Sequence, residues 1–393
     1  MSRIVVLSTI YLNIPSANGI CARNLVDALR ERGNDVIVVC YEDKSEEEKD
    51  EFILTIPRPY LNETHTAIQK IIRTVQVAMH STKPIFNQEM IDAYIKRLNE
   101  VNKAGKIDAI IAMYFPFESV EAMRIFCKDN PGVKSFIFEL DSVGDGVSNS
   151  QIKALYNRAY ERWLYQVYSE VTAAVIMRSH IDYWMSIFGK QFGSKVKVVD
   201  IPVLQQKEYT LVQEHESIRM IYSGLIEKRY RSPSYLLQVI KELEKTIDID
   251  FSFYSKGDCE DEIKQAAMSV GGIRQFGYVP PDKLEKAIQD SDYLVSIGNT
   301  FSKSVPSKLI SYISYGKPII HFSSQEDDIC NEYLQRYPLT LIIDQSKPID
   351  DSIEKINSFL IETRKKHVAW ETIVGLYREN CPSYSAKIII DLI

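Results

Sequence analysis

At 393 residues the chain is long for one hydrophobic core and suits two domains of ordinary size. Its 45% apolar and 25% charged residues, with a net charge of -6, exclude a disordered chain and a general nucleic-acid binder. Six scattered cysteines, with no Cys-x-x-Cys and no histidine at metal-ligand spacing, fit a reduced cytoplasm.

The N-terminus enters a strand-like run without a long apolar core, and no later apolar run approaches membrane-spanning length. Ile4 to Ser8 reads as a buried strand, followed by a loop from Tyr11 to Gly19. A helix from Ile20 to Arg32 then turns Leu25, Ala28 and Leu29 inward and stops at Gly33-Asn34, and Asp35 to Cys40 is the next strand. This opening is βαβ, the unit of a parallel sheet. The acidic run Glu42 to Glu51 reads as solvated. Strand-like runs recur at Phe52 to Ile56, Asp108 to Tyr114, Lys134 to Leu140, Ala173 to Met177 and Lys195 to Val199. Together they predict a Rossmann-like domain over residues 1–204. Within it, Thr66 to Lys106 is an amphipathic, basic stretch, and the stripe Tyr156, Tyr160, Trp163, Leu164, Tyr168 has core spacing.

A polar connector, Gln205 to Ser217, precedes a second set of strands: Met220 to Ser223, Asp250 to Tyr254, Ile273 to Phe276, Tyr293 to Ile297, Ile319 to Phe322 and Thr340 to Ile343. A second Rossmann-like domain is expected over 205–370. The predicted class is α/β, two Rossmann-like domains facing a cleft, with ligands beyond the carboxyl ends of the strands.

The second domain carries the candidate chemistry. After the strand ending at Ile297, Gly298-Asn299 opens a loop and Pro306-Ser307-Lys308 starts a helix. Leu309, Ile310 and Ile313 face inward, leaving Ser307, Lys308 and Ser311 together near the helix mouth, where free N–H groups and an ammonium suit a phosphate. A lone Pro-Ser-Lys is more often an ordinary surface helix, so its surroundings decide. Those surroundings include the loop Ser223-Gly224-Leu225-Ile226-Glu227-Lys228-Arg229-Tyr230-Arg231 at the same end of the sheet. Gly224 allows close backbone approach, and Lys228, Arg229 and Arg231 could neutralise a diphosphate. Gly19 is either a plain turn before a helix or a point of phosphate approach.

With these pieces in order, nearly the whole chain resembles bacterial sugar-nucleotide glycosyltransferases of the GT-B fold, near glycosyltransferase family 4. Asn18 to Leu29 and Arg32-Gly33-Asn34-Asp35-Val36 look like the family's glycine loop, first helix and second strand. Gly277-Tyr278-Val279-Pro280 looks like the loop that holds the nucleotide base, assigning Tyr278 and Val279 to the donor beside Asn299. The resemblance implies donor binding on the second domain, acceptor binding on the first, no cofactor or metal, and residues 371–393 packing back on the first domain. Many retaining members carry two glutamates; aligned on Gly316-Lys317-Pro318 those places are Lys303 and Ser311. Pro306 to Tyr312 resembles a family variant in which a lysine meets the diphosphate and a polar residue replaces the ribose-binding glutamate, roles that fall to Lys308 and Ser311. For an inverting reaction, Asp141 stands just beyond a strand end as the base, with Glu139 and Asp145 as competitors and a turn cap as its plain reading.

The expected protein is a cytoplasmic glycosyltransferase using a UDP- or GDP-sugar and a glycan or polyprenyl-linked acceptor, with peripheral contact at the inner membrane face. Capsule, exopolysaccharide or cell-wall glycan assembly is implied. The alternatives are an inactive relative serving as a scaffold and a sugar-nucleotide epimerase or hydrolase of the same fold.

Overall fold

A computed structural model describes the chain except for residues 10, 13–15, 43–50, 59–83, 85, 115, 141–150, 209–215 and 301–304, and except for the side chains of 151–157. Two compact units emerge, one from residues 1–203 with 379–393 and one from 204–378. Residues 371–378 therefore stay with the second unit, and only the last fifteen return to the first.

The first unit is built on strands β1 (Arg3–Leu7), β2 (Asp35–Tyr41), β3 (Ile53–Ile56), β4 (Ala109–Met113), β5 (Lys134–Glu139), β6 (Ala173–Met177) and β7 (Val196–Val199). They pair in parallel in the order β3-β2-β1-β4-β5-β6-β7. Every residue of β4 and β6 is buried, as expected where helices cover both faces of a parallel sheet. Alternation sends Val5, Leu7, Ile110 and Ile137 to one face, against α2 (Gln88–Ala104), α3 (Phe117–Asp129) and α4 (Gln151–Glu170). Tyr160, Trp163, Leu164 and Tyr168 of α4 lie in that core. Ile4, Val6, Ile111 and Phe136 face the other way, against α1 (Ala17–Glu31).

Helix α1 begins three residues before the sequence suggests. The Ser16 hydroxyl accepts the Gly19 amide at 3.0 Å and caps the helix, so Gly19 sits in its first turn rather than in the preceding loop.

The second unit repeats the plan with β8 (Ile218–Leu225), α5 (Ser234–Leu243), β9 (Ile249–Lys256), α6 (Glu260–Ser269), β10 (Ile273–Gln275), α7 (Pro281–Asp290), β11 (Tyr293–Ile297), α8 (Ser307–Ile313), β12 (Ile319–Ser323), α9 (Ile329–Leu334), β13 (Thr340–Asp344), α10 (Ile349–Thr363) and α11 (Trp370–Leu376). Its strand order is β10-β9-β8-β11-β12-β13, again parallel. Phe251, Phe253, Val295 and Phe322 meet Leu236 and Ile240 of α5 and Ile356 and Leu360 of α10 in its core.

The closing helix, α12 (Pro382–Ile390), lies on α1, where Ala386 and Ile389 share a core with Leu25, Val26 and Leu29. Ile389 has no exposed surface. An Ile389→Asp substitution places a carboxylate in that core at a cost on the order of 3 kcal/mol. Thermal unfolding of the variant is expected to begin about 6–12 °C below the parent. An unchanged midpoint would show that the closing segment is not needed for the first core.

Candidate functional site

In the second sheet the chain leaves β8 toward one edge and β11 toward the other, so the β8–β11 pair is the topological switch point. In open α/β sheets the ligand crevice lies at such a point, beyond the carboxyl ends of the strands. Two bonds from Thr300, N at 3.0 Å and Oγ1 at 2.9 Å, end on the Tyr230 carbonyl and tie the two loops together. Arg231 Nε donates to Asn299 Oδ1 at 2.6 Å across the same junction.

Helix α8 is anchored to this junction by Tyr312. Its buried hydroxyl accepts the Ser223 amide at 2.8 Å and lies 2.9 Å from the Ser223 hydroxyl at the end of β8. Lys308 is one turn earlier on the same helix face. Burial lowers the pKa of its ammonium, and the Lys207 cation lowers it further. Among the described residues no carboxylate pairs with Lys308; Lys207 itself pairs with Glu285 at 2.9 Å. Ser307 opens the helix and Ser311 follows Lys308 by three positions, both partly exposed. At seven residues α8 contributes little dipole, so the charge at this point comes from the side chains.

The remaining expected residues are distributed less compactly. Gly224 belongs to β8, paired with Ser255, rather than to the loop, because strand pairing runs through Leu225 and Lys256. Its φ of +141° is a backbone that other residues avoid. Of the three loop cations, only Arg231 bridges to the β11 loop among the described residues. Lys228 is exposed with its amide on Asp258, and Arg229 lies over the Tyr230 ring. Tyr278 and Val279 follow β10; Tyr278 is exposed beneath the Lys256 ammonium, 4.3 Å from its ring. Gly19 belongs to the first unit, with its amide already taken by Ser16. Asp141, Asp145 and Lys303 lie outside the described residues.

Two features escape the sequence reading. Tyr312 is one. The other is a buried network beneath the β11 loop: His321 Nε2 lies 3.1 Å from Asp328 Oδ2, its Nδ1 lies 3.2 Å from Ser296 Oγ, and Asp328 Oδ1 accepts the Cys330 amide at 3.0 Å. A Cβ at Gly298 would stand 1.9 Å from Asp328 Oδ2, so this network needs glycine at the root of the loop. Among the described residues His321, Asp328 and Cys330 form the one group with metal-type donors within 4.8 Å of one another. Each of its polar groups already has a protein partner. The available signals were a histidine inside an apolar strand and an aspartate at a helix start.

In the first unit, Glu139 ends β5 with 5% of its surface exposed. Burial pushes its pKa up to about 8, against smaller lowering effects from the Tyr168 hydroxyl, which donates to Oε1, and from Trp184. The ordinary value is 4.5, so the folded chain holds an extra proton between about pH 4.5 and 8. This group's relative contribution to stability is full below that window and is lost as pH rises through about 8. Glu139→Gln is expected to lie close to the parent near pH 5 and to exceed it by on the order of 4 kcal/mol near pH 9. Denaturant unfolding across pH reads this directly, and parallel curves at both ends would remove the protonated-acid assignment.

No protein-family model and no curated protein matches the sequence. Solved structures do resemble it in shape. A sucrose-phosphate synthase from Thermosynechococcus elongatus superposes with a TM-score of 0.66 at 10% identity, over 100% of this chain and 98% of that one. A glycosyltransferase from Rickettsia africae gives 0.64 at 12%, over 100% and 97%. A UDP-GlcNAc 2-epimerase from Methanocaldococcus jannaschii gives 0.60 at 11%, over the whole of both chains. At these identities the likeness shows the fold, two α/β units on parallel sheets, which is that of GT-B glycosyltransferases. Among the described residues no helix is long and apolar enough to cross a membrane.

Proposed function

We propose that the chain is a glycosyltransferase that binds a UDP- or GDP-sugar on its second unit and moves the sugar to a hydroxyl of a glycan or polyprenyl-linked acceptor held by the first. The observation that carries this reading is Lys308, a partly buried ammonium that no carboxylate pairs among the described residues, on the helix face that meets the switch-point strand. A nucleotide diphosphate is the anion such a point suits. As the glycosidic bond breaks, charge gathers on the leaving diphosphate, and Lys308 with the N–H groups around Ser307 offsets it without a metal. Arg231, held by Asn299, adds a second cation from the β8 loop. Ser311 faces the ribose, Gly224 permits close approach, and Tyr278 with Val279 flanks the base. Asp141 takes the acceptor proton in this scheme. Surface-polysaccharide or cell-wall glycan assembly, at the inner membrane face, is the setting we assign.

The epimerase likeness supports a second reading in which the donor sugar is altered with no acceptor present. Melting-temperature shifts with UDP, GDP, TDP and CMP separate the readings, since a ligand of the folded state raises the midpoint by mass action. One diphosphate is expected to shift the parent and not Lys308→Ala, and the variant should lose about 10–100-fold in transfer rate, the worth of one charged contact. Conversion of the sugar nucleotide alone would favour the epimerase. Absence of any nucleotide shift from folded protein would leave a non-catalytic scaffold.

A further inference from the structure

A second polar cavity lies elsewhere on the second unit. Along β9 the alternation is strict: Ile249, Phe251 and Phe253 enter the core, while Asp250, Ser252 and Tyr254 face the opposite side of the sheet. That side is only partly covered by α7, and a cavity of about 320 Å³ remains between them. Parallel sheets are ordinarily covered on both faces, so a half-open polar face at this edge calls for an occupant.

Its chemistry is cationic. Arg219 from β8, Arg274 from β10 and Lys283 and Lys286 from α7 line it, against Asp250 and Asp290. Arg274 Nε stands 3.1 Å from Asp250 Oδ1, while Lys283 and Lys286 have no ion pair among the described residues. Arg219 Nε, a buried atom on this wall, makes no hydrogen bond, whereas Asp250 Oδ1 keeps its contact with Arg274. Orphaned buried polar atoms cost about 1–3 kcal/mol each, a penalty that a hydroxylated ligand or water relieves. Tyr254 stacks on Phe276 with ring centres 4.7 Å apart and planes 6° from parallel, giving the cavity one flat wall.

The cavity is not the crevice described above. Arg219 is the second residue of β8 and Gly224 the seventh, so the two ends lie about 16 Å apart along the strand. Its volume is at the small end for ligand pockets, and its polar lining suits a hydroxyl-rich molecule rather than an apolar one.

We propose that this cavity is a second ligand site that takes a small hydroxylated molecule bearing a phosphate monoester, a sugar phosphate in chemical class. The phosphate meets Lys283, Lys286 and Arg274, the hydroxyls meet Asp250 and Arg219, and the ring lies along Tyr254. Titration calorimetry of the full chain with glucose 6-phosphate, with glucose as the uncharged control, tests it. Binding is expected for the phosphate ester alone, weakened about tenfold or more in Lys283→Gln/Lys286→Gln and separately in Arg274→Gln, and unchanged in Lys308→Ala. Both lysines are exposed, so that double variant should keep the parent's melting curve, which checks its fold. Equal affinity in parent and cavity variants, loss of binding in Lys308→Ala, or no binding of the ester at about 10 mM would each overturn the proposal.

Discussion

A partly buried ammonium that no carboxylate pairs among the described residues is the constraint on which the reading of the second unit depends. Desolvation penalises the charged form of Lys308, the neighbouring Lys207 cation adds to that penalty, and no acid among the described residues relieves it. A protein ordinarily avoids such an arrangement by pairing the charge or exposing it. The arrangement makes sense where the counter-charge arrives with a ligand. The stabilisation is then spent on binding rather than on folding.

Topology explains why the charge falls where it does. Because β8 and β11 are neighbours whose chains depart in opposite directions, the segments after both strands converge at one end of the sheet. The Tyr312 hydroxyl fixes α8 to the last turns of β8, and the Arg231–Asn299 bond and the two Thr300 bonds fix one loop to the other. Beneath them Asp328 fills the space that a side chain at position 298 would need. The mouth of α8 is thus held by contacts that run deep into the unit, not by the short helix alone.

Much of this was legible in the sequence. Buried parallel strands are continuous apolar runs, so every strand among the described residues was visible, and Pro306 marked the start of α8 to within a residue. Side-chain partners were not. Three cations within four positions looked equivalent, yet only Arg231 reaches Asn299, because a loop's fold and not its composition decides which side chain turns inward. The hydroxyl of Tyr312 and the amide of Ser223 are 89 positions apart, a distance at which spacing carries no signal. The start of α1 was misplaced because Asn18-Gly19 has turn composition, whereas the Ser16 hydroxyl carries the helix through it.

The serine at position 311 fits the same electrostatics. A glutamate there would stand three residues from Lys308 on one helix face, the spacing at which opposite charges pair. It would partly neutralise the ammonium before any ligand arrived. Serine leaves the charge of Lys308 to an anion, and under the proposed function its hydroxyl meets the ribose while the ammonium meets the diphosphate. A serine at 311 and an ammonium at 308 that no carboxylate pairs among the described residues are therefore two aspects of one arrangement, which under the proposed function favours the phosphates over the ribose.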